Sequence, residues 1–388
     1  MDFLRAELEH LQKQNLFRRL KRLDGPQAAR TTVEDRPCIL LSSNNYLGLA
    51  DHPALKEAAV QAVNIWGAGA GGSRLTTGNY ALFEELENTI ARFKRTAAAI
   101  VFSTGYMANA GTITALVGDS DVIISDELNH ASIIDGCRLS RAKVMVCRHA
   151  DTSHLAEILN QCHHYRRRLI VTDGVFSMDG DLAPLPEIIP LAERHDALLM
   201  VDDAHATGVL GRRGAGTVEH FRLEGRVPVQ MGTLSKALGS AGGYVAGSEE
   251  LIDYLRNKAR SFIFSTAPPP AAAGAAREAI RLVEQQPELR QRLKENALYL
   301  RGGLAEAGYR VPDGESPIIP VHIGDAAKTM RMADELLERG VFVTGIRPPS
   351  VPPGGSRLRV TVMATHTREE LAYALQAFQE AGKKSGLI

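Results

Sequence analysis

Long apolar runs are missing from this sequence. No stretch approaches the roughly 18 uninterrupted apolar residues of a membrane helix, so no membrane partner is expected. Cysteine is scarce. Cys38, Cys137, Cys147 and Cys162 show no CxxC spacing, and neither a disulfide framework nor a zinc site is legible. Reduced thiols in a cytoplasmic protein are the simple reading. Neither sign of charge is in excess: Lys plus Arg and Asp plus Glu each number 45. A nucleic-acid binder usually needs a net basic face, so nucleic acid is not expected as a partner, although a local basic site stays open. Repeats and low-complexity tracts are also lacking. The opening residues carry Asp2, Glu7 and Glu9 and no apolar run, so no secretory or transit segment is expected.

What remains is the composition of a globular chain. Its 388 residues are 44% hydrophobic and 23% charged, enough to bury a core without disulfides or metals. Residues 1–23 read as an amphipathic helix, with Leu4, Leu8 and Leu11 at helical spacing, then Arg18, Arg19, Lys21 and Arg22, and a stop at Gly25-Pro26. The basic run is either a solvated face or a docking point for an anionic substrate. From about residue 97, seven apolar runs alternate with helix-like stretches: 98–102, 122–125, 143–147, 169–172, 198–201, 229–232 and 244–246. Near-continuous apolar strands between helices imply a mainly parallel sheet covered on both faces. After Pro268-Pro269-Pro270 the pattern shifts. A long helical region interrupted at Pro287 precedes Ile318–Ile323, a helix over 326–338, Val341–Ile346, Arg357–Met363 and a helix from about 368. The fold class is α/β: a large domain with a mainly parallel seven-stranded sheet, plus a smaller α+β domain. The expected divisions are 1–45, 46–275 and 276–388.

Four motifs bear on chemistry. Gly67-Ala68-Gly69-Ala70-Gly71-Gly72 has the spacing of a dinucleotide fingerprint, but it follows a helical stretch and runs on as loop, so a close-approach or flexible loop is the better reading. Ser103-Thr104-Gly105-Tyr106 joins a strand to a helix, where free N–H groups can hold a phosphate; a plain turn is the alternative. Val201-Asp202-Asp203-Ala204-His205 ends another strand, at the side where open parallel sheets bind ligands. It suits a pyridine nitrogen and a phenolic oxygen, with metal binding as the rival. Thr233-Leu234-Ser235-Lys236-Ala237-Leu238-Gly239 ends the next strand and sets Lys236 among small residues, where it can meet a carbonyl. A phosphate turn, a histidine (His130), an Asp-x-x-His and a lysine thus arrive in order at the ends of successive strands, and together they support one another.

Together with Ser42-Ser43-Asn44-Asn45-Tyr46-Leu47-Gly48-Leu49, Asp173-Gly174-Val175-Phe176-Ser177-Met178-Asp179-Gly180 and Met363-Ala364-Thr365-His366, the chain resembles the α-oxoamine synthases, acyltransferases of the fold-type-I pyridoxal 5'-phosphate (PLP) enzymes. The resemblance covers almost the whole sequence. It implies that Lys236 holds PLP covalently and that His130, in Leu128-Asn129-His130-Ala131-Ser132, stacks on the ring. It pairs Asp202 with the ring nitrogen and His205 with the ring oxygen. Thr104, Gly105, Tyr106 and Thr233 are implied at the phosphate end, with Ser265 or Thr266 reaching across a homodimer interface, and Ser177 lies beside the cofactor. Asn44 and Arg359 are implied for the amino-acid carboxylate. Arg18, Arg347 and Ser350 are implied for the acyl substrate, and His130 also serves the thioester.

Arg347-Pro348-Pro349-Ser350-Val351-Pro352 is similar to the family member that joins L-alanine to a pimeloyl group, carried by CoA or a carrier protein, in biotin biosynthesis. Ser350 stands where the commonest form has threonine. The member using glycine and acetyl-CoA usually lacks the Arg-Pro-Pro start and is the alternative. A PLP-free binding protein with a basic N-terminal helix is the alternative from a different class.

Overall fold

The computed structural model describes residues 1–14 and 16–388. Its strands are β1 Arg30–Val33, β2 Arg36–Leu40, β3 Ala98–Phe102, β4 Val122–Asp126, β5 Lys143–Cys147, β6 Arg168–Asp173, β7 Leu198–Asp202, β8 Val229–Thr233, β9 Gly243–Gly247, β10 Ile318–Gly324, β11 Val341–Phe342, β12 Thr344–Ile346 and β13 Ser356–Thr361. The chain divides into two compact units, 49–177 with 181–290, and 1–48 with 178–180 and 291–388.

The larger unit is built on a seven-stranded sheet of order β3-β9-β8-β7-β6-β4-β5. All neighbours are parallel except β9, which runs antiparallel to β3 and to β8. The expected α/β class with its mainly parallel sheet is therefore observed. Successive residues of a strand face opposite sides of a sheet, and both sides are apolar. Ile123 and Met200 join one buried cluster with Ala108 and Ile113 of the helix Gly105–Leu116. Ile124 and Val201 join a second cluster with Leu155, Ile189 and Val218.

The same alternation separates two adjacent carboxylates at the end of β7. Asp202 shares the side of Met200 and accepts a 2.7 Å bond from Asn109 Nδ2 on the helix Gly105–Leu116. Asp203 turns to the other side. It meets Lys94 Nζ at 2.8 Å, both side chains 1% exposed, and accepts from the Thr217 hydroxyl and N–H.

The other unit holds two three-stranded sheets, β1-β2-β11 and β10-β13-β12. The run expected as one strand over 341–346 breaks at Val343. Its first half pairs parallel with β2 and its second half antiparallel with β13, so the chain must turn from one sheet to the next. Pairing of Ile39 with Val341 also explains why the N-terminal residues join the C-terminal ones in one unit, and not a separate segment ending at 45. At the other boundary, the helix Pro270–Gln285 stays with the larger unit. Gly274 there packs so tightly that an added Cβ would lie 2.7 Å from the Ala58 carbonyl oxygen of the helix Pro53–Trp66.

The helix expected over 1–23 ends at Lys13. Asn15 lies outside the described residues. Further on, the backbone is claimed by β1: Glu34 N–H donates to Arg22 C=O and Asp24 N–H to Thr32 C=O, each at 2.9 Å. Ladder bonds of this kind take the groups a helix would use, so Gly25-Pro26 follows extended chain. Among the described residues no helix is long and apolar enough to cross a membrane.

Lys94 neutralises a carboxylate that has no solvent. Lys94→Met should lower unfolding stability by about 3–5 kcal/mol, because it strands Asp203 as a buried charge. Urea denaturation checks this; a loss under about 1 kcal/mol would show that Asp203 finds another partner or takes a proton.

Candidate active site

The carboxyl ends of β6, β7 and β8 and the loops after β3 and β4 carry most of the residues singled out above. Thr104 caps the helix Gly105–Leu116, its Oγ1 accepting the Met107 N–H at 3.1 Å. A helix start leaves its first N–H groups without partners in the helix, and here those belong to Gly105 and Tyr106. Glycine is needed at 243, where a Cβ would lie 2.6 Å from Gly105 Cα; a Cβ on Gly105 would in turn touch Thr233 Oγ1 at 3.4 Å. The helix start therefore sits directly against Thr233. Thr233 Oγ1 donates to Gly242 C=O and accepts from Ser235 Oγ, both at 2.8 Å. Ser103 Oγ donates to Thr266 C=O at 3.1 Å, which sets Ser265 and Thr266 beside the same turn of their own chain. The exposed Tyr106 hydroxyl donates to Asp135.

Lys236 Nζ and His205 Nε2 are 3.0 Å apart. Asp202 is 3% exposed. Its Oδ1 accepts the Ala204 N–H at 2.8 Å and its Oδ2 accepts from Asn109, which leaves each oxygen one acceptor site. No ion pair reaches it among the described residues. Asp173, paired with Asp202 across the ladder, is pushed well up, first by burial and then by the Asp202 charge. Asn129 fixes the neighbouring loop through bonds to Ser125, Val171 C=O and Asp173 N–H. Asp173 in turn accepts the His130 N–H at 3.0 Å. His130 as a residue is exposed. Its pKa is lowered, chiefly by the dense surroundings of the loop, with Asp202 opposing and Lys236 adding to the effect. Ser177 is half-buried and follows the fully buried Phe176.

These residues fit PLP. A buried carboxylate lacking a cation suits a protonated pyridine nitrogen. A helix start ringed by the Thr233 and Ser235 hydroxyls suits a phosphate monoester. A lysine amine inside the same set suits an aldehyde. The rival metal reading of Asp202-Asp203-Ala204-His205 loses Asp203, which is committed to Lys94.

The remaining candidates lie in the other unit. Arg359 is 7% exposed and donates to Asn44 Oδ1 at 3.1 Å and to Tyr46 Oη at 3.3 Å. Arg18, Arg347 and Ser350 come together in a cavity of about 920 Å³. Arg18 donates to Ser350 Oγ at 3.3 Å, and Arg347 to Phe17 C=O at 2.7 Å. Leu20, Met330, Leu337, Phe342 and Ile346 give the cavity apolar walls. Burial, then the Arg18 charge, lowers the pKa of Arg347.

Sequence reasoning passed over Asn109 and His149. Asn109 is a buried polar residue one turn into the helix, beside Ala108, Gly111, Thr112 and Ile113, and carries no motif of its own. His149 joins two site loops. Its Nδ1 lies 3.1 Å from Asp126, at the start of the loop to His130, and its Nε2 lies 2.7 Å from Asp181, beyond Ser177. Its ring stands edge-on to Phe176 with centroids 4.4 Å apart. Burial opposes a charge there, but the two carboxylates outweigh it and raise the imidazole to about 10.

Residues 36–378 match the aminotransferase class I and II family. An 8-amino-7-oxononanoate synthase of Symbiobacterium thermophilum is 52% identical over 388 residues, covering 100% of this chain and 99% of its own. One from Geobacter metallireducens is also 52% identical, over 98% of each chain. Among solved structures, serine palmitoyltransferase from S. paucimobilis with PLP and myriocin bound superposes with a TM-score of 0.95 at 34% identity, covering 100% of this chain and 98% of that one. An 8-amino-7-oxononanoate synthase from Francisella tularensis gives 0.78 at 29% identity, covering 89% and 98%.

The fold holds His149 charged, so its stabilising contribution is complete below the free histidine value of about 6.5. The contribution is lost as pH rises through about 10. The gap in unfolding midpoint between wild type and His149→Gln should be widest near about pH 6 and shrink steadily toward about pH 10. A gap that does not change with pH would assign the effect to packing on Phe176.

Proposed function

Since the chain belongs to the class I and II aminotransferase family, and within it to the 8-amino-7-oxononanoate synthases, which depend on PLP, we propose that it condenses L-alanine with a pimeloyl thioester, releasing carbon dioxide and the thiol. The product of that reaction is 8-amino-7-oxononanoate, a step of biotin biosynthesis. Relatives of that name, similar along the entire chain, carry the choice of substrates.

The bound cofactor supplies an electron sink for bond-breaking at the amino acid's α-carbon. The chain's own groups do the rest. Lys236 would hold the cofactor through its amine, and the free Nζ would be the base that takes the α-proton. Asp202 keeps the ring nitrogen protonated, and His205 donates to the ring oxygen. Gly105 and Tyr106 N–H, with Thr104 and Thr233, hold the phosphate, helped by Ser265 or Thr266 of a second copy in a homodimer. Ser177 packs beside the ring and His130 covers it. Arg359 and Asn44 hold the amino-acid carboxylate; their mutual bond and the burial of Arg359 support that pairing. Arg18 and Arg347 read the far end of the acyl chain, which the apolar walls of their cavity receive.

Crossing alanine, serine and glycine with acetyl and pimeloyl thioesters tests the reading directly. Alanine with pimeloyl-CoA or a pimeloyl-carrier protein should give the dominant product. Preference for glycine with acetyl-CoA would transfer the chain to the sister activity. Lys236→Ala should abolish turnover. Asp202→Asn should cut it about a hundredfold or more, and Asp203→Asn far less, because only Asp202 faces the cofactor side. Equal losses would show that the wrong carboxylate is assigned.

A terminal carboxylate bonded to a guanidinium is worth about 1.5–3 kcal/mol. Arg18→Ala or Arg347→Ala should therefore raise KM for pimeloyl-CoA by about ten- to hundredfold, with alanine binding unchanged. Normal KM in both variants would place recognition of that carboxylate elsewhere.

A further inference from the structure

Asn109 joins the two residues proposed to bracket the cofactor, and the direction of every hydrogen bond in the connection is fixed. It begins at Asp202, which as a carboxylate can only accept. The atom of Asn109 lying 2.7 Å from Asp202 Oδ2 must therefore be the amide nitrogen. The opposite amide orientation would set two acceptors against each other. The cost of the chosen orientation is visible, since the buried Oδ1 of Asn109 finds no partner. The second hydrogen of the same nitrogen goes to Ser132 Oγ at 2.8 Å. Having accepted from Asn109, Ser132 Oγ can donate its own proton or accept once more, and His130 Nδ1 lies 2.7 Å away. The main chain decides: the Ser132 N–H, which can only donate, points at the same Nδ1 at 3.2 Å, with His130 as the cap of the helix Ala131–Leu139, so Nδ1 accepts and the hydroxyl donates. Two donors thus converge on one ring nitrogen, which must carry a lone pair. Asn109 and Ser132 are each 1% exposed, so water does not compete for these bonds.

We infer that Asn109 and Ser132 are positioning residues that hold His130 as the neutral tautomer with its proton on Nε2, a fixed hydrogen-bond donor toward the acyl thioester. This role for the donated proton rests on the condensation proposed above; the tautomer does not. An Nε2–H donor stabilises the oxygen that becomes negative when a nucleophile attacks the thioester carbonyl. An imidazolium would break both bonds at Nδ1, and the opposite tautomer would point its lone pair at that oxygen. The charged and titratable groups facing His130 are Asp202, which favours its protonation, Lys236, which opposes it, and Asp173, bound to its backbone N–H.

The test is nitrogen NMR of enzyme carrying 15N-histidine, with PLP bound and again after its removal, one signal among the twelve histidines being assigned by its loss in His130→Gln. At neutral pH, Nε2 should show the protonated shift and Nδ1 the unprotonated one in both forms. In Ser132→Ala and Asn109→Leu the titration midpoint of His130 should move upward by about half a unit or more, since each variant removes a donor or its orientation from the neutral form. Ser132→Thr, which keeps the hydroxyl, should restore it. The same two losses should lower kcat/KM for the acyl thioester by about tenfold while the dissociation constant of the amino acid holds, and Ser132→Thr should recover the rate. A proton on Nδ1 in the wild type overturns the inference, as does a midpoint identical in wild type and Ser132→Ala. Should the variants fail to fold, the wild-type tautomer decides alone. If no amino acid and thioester yield product, the condensation falls while the NMR result still judges the tautomer.

Discussion

The bond from Asn109 to Asp202 is the contact on which the site depends. A carboxylate buried at the end of β7 is costly unless something polar holds it. Its neighbour Asp203 solves the same problem with Lys94, one side of the sheet away. Among the described residues Asp202 meets no ion-pair partner and is held by the Asn109 amide and the Ala204 N–H. Two residues adjacent in sequence therefore meet opposite electrostatic fates. Strand alternation makes the division possible, and helices covering both faces of the sheet make it complete.

Around that carboxylate the site is assembled from backbone more than from side chains. The close approach of Gly105 to Gly243 brings a helix start against Thr233, and Asn129 ties the ends of β4 and β6 into one frame. His149 adds a charged brace between the loops that carry His130 and Ser177. A change at His149 thus acts on the site through loop position, without touching a reacting group.

Much of this was legible beforehand. Near-continuous apolar runs such as Leu198–Val201 mark buried strands whatever their partners, and all seven strands of the large sheet were recognisable from such runs alternating with helix-like stretches. Lys236, Asp202 and His205 stand in distinctive local words at strand ends, and the structure draws them into the larger unit together. What stayed hidden depends on contacts distant in sequence. The antiparallel insertion of β9 cannot be read from its own composition. The helix over 1–23 failed because β1 pairs with Arg22 and Asp24, an event the leucine spacing does not record. The split at Val343 likewise needs both partner strands to be known. Asn109 carries no motif of its own; its meaning comes from Asp202, on another element.

The interleaving of the units has a consequence for the chain as it is made. Strand β2, near the beginning, completes its sheet only through Val341 and Phe342, and Met178–Gly180 packs with Ser316 and Arg357. Contacts so far apart in sequence close late and slow folding. During synthesis from the N-terminus, the larger unit has all its residues as soon as Arg290 has emerged. The first 48 residues and the Met178–Gly180 stretch must wait for residues 291–388. A chain emerged only as far as residue 290 would thus hold all seven strands of the large sheet, while its first 48 residues and Met178–Gly180 still lacked the elements they pack with.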